Sequence, residues 1–203
     1  MLMVCTDAAL VEQDLQAGRL CCPACEAELR PWGFARPRTL RGRGVVRAPP
    51  MRPRRGRCRG CRGTHVLLTI LALVRRADLA EVIGEALVRA AAGAGHRRVA
   101  GVLGVPPTTV RGWLRRFAGR AHEIRAHFTR LAVWLDPSPG PVTPRSTALA
   151  DAVEAIGLAA QAAERRLGRQ PVWAFVSGAT GGRLIANTNS PFPAFWEAAR
   201  LPG

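Results

Sequence analysis

Apolar side chains recur every three or four residues through most of the chain from residue 78 onwards, which is the period of an amphipathic helix. The pattern predicts four helices in succession, over residues 78–92, 96–103, 107–119 and 120–135. The last of these is either a separate helix or a continuation of its predecessor past Gly119. A longer helix is predicted over residues 146–167, with an apolar seam that suits a dimer contact or, more simply, packing within the chain: Leu149, Val153, Ile156, Ala160, Ala163 and Leu167.

The first 66 residues show a different pattern, in which short apolar segments are separated by glycine and proline. Residues 1–5 predict a short strand or an apolar anchor. Thr6 is the expected N-cap of a helix that Gly18 ends. Beyond this helix, turns at glycine and proline residues separate three candidate strands, at residues 36–41, 45–47 and 52–57.

These patterns indicate a mainly α fold with a small β ribbon. They divide the chain into an N-terminal strand and helix (1–18), the ribbon (19–66), a helical domain (67–135), a proline-rich linker (136–145) and a C-terminal helical segment and tail (146–203). Glycines in the tail, between Gly178 and Arg183, resemble a phosphate-binding loop. The motif lacks the lysine of such loops, so we interpret it as a turn.

Charge is distributed unevenly along the chain. Thirty basic residues against 14 acidic ones give a formal charge of +16, and every basic residue is arginine. Between Arg30 and Arg76 there are 14 arginines and no acidic residue, and between Arg97 and Arg130 there are eight arginines and one acid. Because like charges repel one another unless an anion neutralises them, we expect these stretches to contact the phosphates of a nucleic acid.

Membrane association, the competing explanation for basic charge, has no support in the sequence. Residues 1–5 are too few for the apolar core of a signal peptide, and the longest apolar run, residues 66–74, is about half the length that spans a bilayer. We therefore expect a cytoplasmic protein with no membrane partner. In a reducing compartment, paired cysteines favour metal binding over a disulfide.

Four of the six cysteines form two CxxC pairs, Cys22-Pro-Ala-Cys25 and Cys58-Arg-Gly-Cys61. The two-residue gap lets both thiolates of a pair face one ion, and four thiolates form a closed tetrahedral shell for structural Zn2+. We predict that residues 19–66 form a zinc ribbon with these four ligands. The 32 residues between the pairs exceed the common spacing of about 15–20, which leaves room for an additional hairpin.

Three other residues could take part in this site. Cys21 competes with Cys22, but only Cys22 is in register with Cys25. His65 follows Cys61 by four positions and could replace a cysteine, although a residue at the end of a strand is the simpler interpretation. Cys5 is expected to be a small buried residue.

Residues 95–117, with the sequence GHRRVAGVLGVPPTTVRGWLRRF, predict a helix-turn-helix. Gly104 makes the sharp turn, and Pro107 begins the second helix at a position where its missing N–H is not needed. In that helix we expect Leu114 in the core with Trp113 beside it. The other residues expected in the core are Val99, Ala100, Leu103, Val105, Val110 and Phe117.

The second helix of this motif is expected to enter the major groove of double-stranded DNA. Arg111 is the first candidate for reading a base, since its guanidinium can donate two hydrogen bonds to guanine. Thr108, Thr109 and Gly112 are expected beside it, near the base edges. Contacts to phosphate, which fix register without reading sequence, are assigned to Arg97, Arg98, Arg115 and Arg116.

The order of these motifs resembles the zinc-ribbon plus helix-turn-helix heads at the N termini of bacterial insertion-sequence transposases. It is more similar still to stand-alone proteins of the same organisation from GC-rich bacteria. The matching segments are CPAC, Trp32-Gly33, CRGC followed by THVLL, and AGAGHRRVA…GVPPTTVRGWLRRF, within about residues 20–135. The resemblance implies DNA binding, at transposon ends among other sites, and does not supply a reaction.

We therefore expect a non-enzymatic, sequence-selective DNA-binding protein that is transposon-associated or a transcriptional regulator. Its expected protein partner is a separate transposase or a second copy of itself. Glu123, Asp136, Asp151 and Glu154 are interpreted as surface charges because they lie on predicted helices or the linker. Two alternatives stay open: a recombinase or nuclease whose catalytic carboxylates are not recognised, and an RNA-binding or protein-interaction adaptor.

Overall fold

The structure is a computed structural model that describes residues 1–138, 140, 143–187 and 192–193. It confirms the predicted fold class, a mainly α protein with a small β ribbon. The strands are β1 (Leu2–Val4), β2 (Leu29–Phe34), β3 (Arg54–Cys58) and β4 (Thr64–Thr69). The helices of the described residues are α1 (Ala8–Gln16), α2 (Ala80–Ala91), α3 (His96–Leu103), α4 (Pro107–Ala118), α5 (Ala121–Leu135), α6 (Ala148–Leu167) and α7 (Val172–Ala179).

The four strands form one sheet in the order β1-β4-β3-β2. β1 is parallel to β4, and the other two pairings are antiparallel. The predicted strand at residues 52–57 is confirmed in part by β3, but the predictions at 36–41 and 45–47 are wrong. Those two segments make isolated bridges, Arg38 with Met51 and Arg41 with Arg47, because the glycines and prolines around them prevent a continuous ladder.

Helix α1 begins one residue later than the sequence predicts. Its N-cap is Asp7, whose carboxylate accepts hydrogen bonds from the amides of Ala9 and Leu10 at 2.8 and 3.3 Å. The prediction of Thr6 as the cap is therefore wrong. Gly18 follows the helix with a φ of +73°, as expected for a residue that ends a helix.

Helix α1 covers one face of the sheet. Val11 and Leu15 are buried there against Leu29 and Cys58. The close approach depends on Gly56 of β3, since a Cβ at this position would lie 3.3 Å from the Leu15 Cδ1 atom. The N-terminal strand and helix thus pack as part of the ribbon, and Cys22 and Cys58 belong to the same core.

Helices α2 to α7 share a second, larger core. Helices α5 and α6 run in the same direction, because Arg165 lies 2.6 Å from Asp136 at their C-terminal ends and Arg125 lies 3.8 Å from Asp151 towards their N-terminal ends. The described residues at the two ends of the linker, Asp136 and Arg145, consequently lie at opposite ends of α6, since Asp136 contacts Arg165 and Arg145 contacts Asp151. The largest fully buried side chains of this core are Leu73, Ile83, Leu87, Leu103, Phe117, Ile124, Phe128 and Ile156.

The face of α6 that is buried differs from the predicted seam. Leu167 is 66% exposed, and Leu149, Val153 and Ala160 are only partly buried. The seam prediction is confirmed in part, since Ile156 and Ala163 are buried and Leu149 and Val153 pack against the core. Small side chains let α5 and α6 approach closely, so the face that is fully buried consists mainly of alanine. Its members are Ala150, Ala152, Ala155, Ile156, Ala159, Ala162 and Ala163.

Helix α7 packs across α2 through a glycine. A Cβ on Gly84 would lie 1.9 Å from the ring of Trp173, so no other residue fits there without displacing the indole. After α7 ends at Ala179, residues 180–182 form a turn, as predicted for this glycine-rich segment. The Gly182 carbonyl in this turn accepts a hydrogen bond from the Val74 amide at 2.8 Å. Most of the predicted tail beyond residue 187 lies outside the described residues.

The division of the chain at residues 18, 66, 135 and 145 stays a prediction. Packing crosses these positions, since β1 pairs with β4 and α6 shares a core with α2 to α5. None of the helices in the described part of the chain is long and apolar enough to cross a lipid bilayer.

Candidate metal centre and nucleic-acid interface

The four predicted cysteine ligands meet at one end of the ribbon. Cys22 and Cys25 lie on the turn before β2, Cys58 ends β3, and Cys61 lies on the turn between β3 and β4. All four sulfur atoms lie within 4.8 Å of one another. The Cys22 and Cys61 sulfurs are 3.7 Å apart, and those of Cys25 and Cys58 are 3.3 Å apart.

Local backbone geometry directs the two pairs towards the same point. Each CxxC turn contains or is followed by a residue with positive φ, Glu26 at 59° and Arg62 at 63°, which turns the chain sharply around the sulfurs. The amide of Ala24 donates to the Cys22 sulfur at 3.4 Å. The second turn closes through a hydrogen bond from the Cys58 amide to the Gly63 carbonyl at 2.9 Å.

The cysteine cluster fits a tetrahedral metal ion. A Zn–S bond of about 2.3 Å places neighbouring sulfurs about 3.8 Å apart, close to the separations found here. Cys22 and Cys58 are buried and Cys25 and Cys61 are exposed, so the cluster lies between the core of the ribbon and its surface. Four thiolates are the ligand set of a structural zinc site. Within the described residues, this is the cluster of histidine, cysteine or acidic side chains able to hold a metal.

Two of the four thiols have pKa values that are shifted in opposite directions. Hydrogen bonds from the Ala27 amide, the Cys58 thiol and the Cys61 amide lower the pKa of Cys25 to about 6. The Gly63 amide lowers the pKa of Cys61, but the hydrogen bonds with Cys58, Cys22 and Cys25 outweigh it and raise that pKa to about 11. One thiol of the set is therefore ionised readily near neutral pH, and a metal cation would favour ionisation of the others.

Of the three other residues that were considered as ligands, His65 lies beside the cluster, whereas Cys5 and Cys21 lie outside it. His65 on β4 places its Nε2 atom 3.3 Å from the Cys22 sulfur, while its Nδ1 atom lies 3.2 Å from the N-terminal amine of Met1. Cys21 is exposed and Cys5 is partly buried, and neither belongs to the cluster. His65 is thus placed to hydrogen-bond to a ligand sulfur, an arrangement that supports metal ligands in other proteins.

Helices α2, α3 and α4 form a three-helix arrangement in which α3 and α4 are joined by a tight turn. Gly104 makes this turn with a φ of +65°, as predicted, and its amide donates to the Ala100 carbonyl. Pro107 is at the start of α4, also as predicted. The predicted core residues Val99, Ala100, Leu103, Val105, Val110 and Phe117 are all buried.

One detail of the predicted core is confirmed in part. Leu114 packs against the core as expected, but it is only partly buried, whereas Trp113, which was expected beside the core residues, is fully buried. The outward face of α4 is shifted accordingly, with Arg111 and Arg115 one turn apart on it.

The residues predicted to bind DNA lie on the surface of this motif. Those that are exposed are Arg97, Arg98, Thr108, Arg111 and Arg115. Those that are half-buried are Thr109, Gly112 and Arg116. Arg116 donates hydrogen bonds to the Gly112 carbonyl at 2.9 Å and to the Asn187 side chain at 2.5 Å, so this guanidinium is held within the protein. The assignment of all eight to DNA stays a prediction.

Sequence reasoning missed the contact between the ribbon and the helix-turn-helix. The loop after Arg41 lies against the turn at Gly104, where the Gly44 amide donates to the Leu103 carbonyl at 2.8 Å. Arg43 donates to the Val102 carbonyl at 3.2 Å. The available signal was the spacing of glycines in the loop, which the sequence analysis interpreted only as turns between strands.

A second contact fixes the ribbon to the start of α2. Asp78 is buried, and one of its carboxylate oxygens lies 3.0 Å from the Arg41 guanidinium. The backbone of Arg41 also bonds to Ala77 and Leu79 on either side of this aspartate. The loop is therefore attached to the three-helix motif at two places, the start of α2 and the turn between α3 and α4.

Several ribbon arginines form hydrogen bonds or ion pairs with other residues of the protein. Arg54 forms two hydrogen bonds with Glu12 of α1, which lower the pKa of that carboxyl. Arg30 and Arg59 lie 2.7 and 3.7 Å from Glu28. Phosphate contact by this stretch stays a prediction, and the side chains of Arg36, Arg47, Arg52, Arg59 and Arg62 are exposed.

Comparison with known proteins supports the helical part of this site. Residues 79–123, from the start of α2 to the first turn of α5, match the homeodomain-like domain family. The match spans less than a quarter of the 203 residues. No curated protein and no solved structure matches the chain. Residues 79–123 therefore form a homeodomain-like helix-turn-helix domain, the type of domain that is associated with DNA binding.

Proposed function

We propose that the protein binds double-stranded DNA with sequence selectivity through α4. The observation that carries the proposal is the homeodomain-like motif of residues 79–123, whose second turn-linked helix carries exposed threonine and arginine on its outward face. A helix held in this way fits the major groove, with its N-terminal residues nearest the base edges. Thr108, Thr109, Arg111 and Gly112 are the residues assigned to this position.

Arginines around α4 would fix its register on the duplex. Arg97 and Arg98 begin α3, and Arg115 lies one turn beyond Arg111. All three side chains are exposed. Their role is to contact phosphate, so they contribute affinity that falls with salt and carry no sequence information. Arg116 is assigned to the same role, which requires it to exchange its bond with Asn187 for one with phosphate.

The ribbon supports this helix as a structural zinc module. Zn2+ held by Cys22, Cys25, Cys58 and Cys61 would close the ribbon, whose loop contacts the turn before α4. In small zinc peptides such binding contributes roughly 10–16 kcal/mol, which is enough to order a segment with a small core of its own. The metal thereby acts on DNA binding through position and not through chemistry.

We infer that the protein is not an enzyme. Support comes from the carboxylates that a nuclease would need: Glu123 bonds to Arg120, Asp136 to Arg165, and Glu154 to Arg145. Asp151 accepts a hydrogen bond from the Arg145 amide. Each is engaged with an arginine, and the two that lie near one another, Asp151 and Glu154, both bind Arg145. A divalent-metal-dependent nicking assay on bound duplex tests the alternative, since nicking that one Asp→Asn variant abolishes would contradict the proposal.

The cellular role that follows is that of a cytoplasmic transposon-associated protein or transcriptional regulator. Its partner would be a separate transposase or a second copy of the chain. Selection of bound duplexes from a random pool tests the shared part of these roles. A defined sequence preference is expected, and stronger binding of single-stranded RNA than of any duplex would favour the adaptor alternative.

A further inference from the structure

One face of the ribbon sheet is left open and carries an exposed tryptophan. Helix α1 covers the face that bears Leu29 and Cys58, and side chains alternate along a strand, so Arg30 of β2 and Arg57 of β3 point to the other face. The Arg57 guanidinium lies 4.4 Å from the centre of the Trp32 ring, which places Trp32 on this face as well. Trp32 is 50% exposed.

The surroundings of Trp32 are basic. Arg30, Arg57, Arg59 and Arg62 border one shallow depression together with its ring. Glu28 is the acid in contact here, 2.7 Å from Arg30 and 3.7 Å from Arg59. Four guanidinium groups thus face one carboxylate beside an exposed aromatic ring, and the balance of charge favours an anionic ligand.

Packing does not account for this tryptophan. Trp32 belongs to none of the hydrophobic clusters of the described residues, and β2 lies at the edge of the sheet. An indole that is half exposed stabilises the fold little, while an aromatic ring within a basic groove is the usual stacking platform for an unpaired base. The ring and the arginine stacked against it form a flat surface with positive charge around it.

We propose that this face binds single-stranded DNA, with an unpaired base stacked on Trp32 and the neighbouring phosphates on Arg57 and Arg62. Stacking on an aromatic ring requires the flat face of a base, which a duplex keeps covered by its neighbours. An acidic peptide would satisfy the arginines but would give Trp32 no planar group to contact. The site is separate from α4 and goes beyond the proposed reading of a duplex.

A protein with both sites holds a duplex and an unpaired strand at the same time. Helix α4 would fix the position on the duplex, and the ribbon would hold bases that have left the stack nearby. The ribbon loop that rests on the turn at Gly104 keeps the two sites in one body. We therefore expect the strongest binding to DNA in which a duplex adjoins a single strand.

The test measures binding of a labelled thymidine strand of about 12 nucleotides to the full-length, zinc-loaded protein, within the site size of small single-strand-binding folds. Trp32→Ala should weaken this binding about 5- to 150-fold, the range for loss of one stacked base. Trp32→Phe should lose less, because a smaller ring remains. Equal zinc content and equal unfolding free energy of the variants establish that the fold is kept.

Trp134→Ala is the matched control. Trp134 is 41% exposed and also has an arginine over its ring, Arg166 at 5.2 Å, but it lies on α5. Its loss should leave single-strand affinity unchanged. Equal losses in Trp32→Ala and Trp134→Ala, no binding of the strand by the wild type, or about tenfold tighter binding of the matching uridine RNA would overturn the proposal.

Discussion

Gly104 of the helix-turn-helix lies directly against Gly44 of the ribbon, so that a Cβ on Gly104 would stand 2.7 Å from the Gly44 Cα atom. The contact adjoins the hydrogen bond from the Gly44 amide to the Leu103 carbonyl. The turn that sets the direction of α4 is therefore also the surface on which the ribbon loop rests. The orientation of the ribbon relative to α4 depends on this pair of glycines.

Gly104→Ala should destabilise the protein by at least about 1–2 kcal/mol. Alanine meets a left-handed backbone there, which costs about 1 kcal/mol, and its methyl group would collide with Gly44. Urea unfolding of the zinc-loaded protein measures the change. Gly101→Ala on α3 is the control, since nothing lies within 4 Å of that position and alanine favours a helix. If both variants have the same unfolding free energy, the contact does not matter for stability.

Asp78→Asn should destabilise the junction between the ribbon and α2 by about 1–3 kcal/mol. The carboxylate is buried and bound to Arg41, so its loss leaves that guanidinium without its anion. Glu123→Gln, which changes a carboxylate that is 43% exposed and paired with Arg120, should cost no more than about 1 kcal/mol. The measurement is the unfolding free energy of both variants. Equal losses would show that the buried pair between Arg41 and Asp78 does not stabilise the junction more than the other pair does.

His127 should make stability depend on pH. It is buried on α5 with its Nε2 atom 3.1 Å from the Ala179 carbonyl, and burial lowers its pKa to about 4. The unfolded chain binds this proton below about pH 6.5, so the unfolded state takes up more protons between about pH 6.5 and 4. The unfolding free energy should therefore fall as pH decreases through this window.

The pH dependence has a matched pair of variants. His127→Gln should reduce the loss of stability between about pH 6.5 and 4, because glutamine does not gain a charge there. His122→Gln should leave the loss as it is, since His122 is exposed on the same helix. Thermal or urea unfolding at several pH values gives the comparison. An unchanged slope in His127→Gln would mean that this imidazole is not held neutral by the fold.

Cys58→Ser should abolish stoichiometric zinc binding and unfold the ribbon. Cys58 is buried among the four sulfurs, and a structural zinc site loses most of its affinity with one thiolate. Elemental analysis and circular dichroism of the purified variant measure the loss. Cys21→Ser is the control, because Cys21 is exposed and outside the cluster. A folded Cys58→Ser protein with one zinc per chain would disprove the ligand set.

The helical part of the fold could be predicted closely from the sequence. The helices at residues 96–103 and 107–119 match α3 and α4 because glycine and proline mark their ends and the period is regular. The cysteine cluster was also predictable, since the two CxxC turns have few ways to arrange four sulfurs. Helix ends and CxxC turns are each defined by residues that are close together in the sequence, so they can be recognised without knowing which distant residues they pack against.

The parts that the sequence did not predict depend on distant contacts. Strand β2 lies in a segment with tryptophan, proline and glycine that has no alternation of its own, and it forms because β3 pairs with it. The buried face of α6 was predicted only in part, because alanine side chains contribute to a core only where another helix approaches closely, as α5 does. The docking of Gly44 on Gly104 required the three-dimensional position of both glycines.

The most direct test of the central claim is a comparison of binding preferences between the wild type, Arg111→Ala and Arg115→Ala. The account predicts that Arg111→Ala loses about 1–3 kcal/mol of discrimination at one base pair of the selected duplex, whereas Arg115→Ala weakens all duplexes alike and lowers the salt dependence. An unchanged base preference in Arg111→Ala would contradict the claim that α4 reads the major groove.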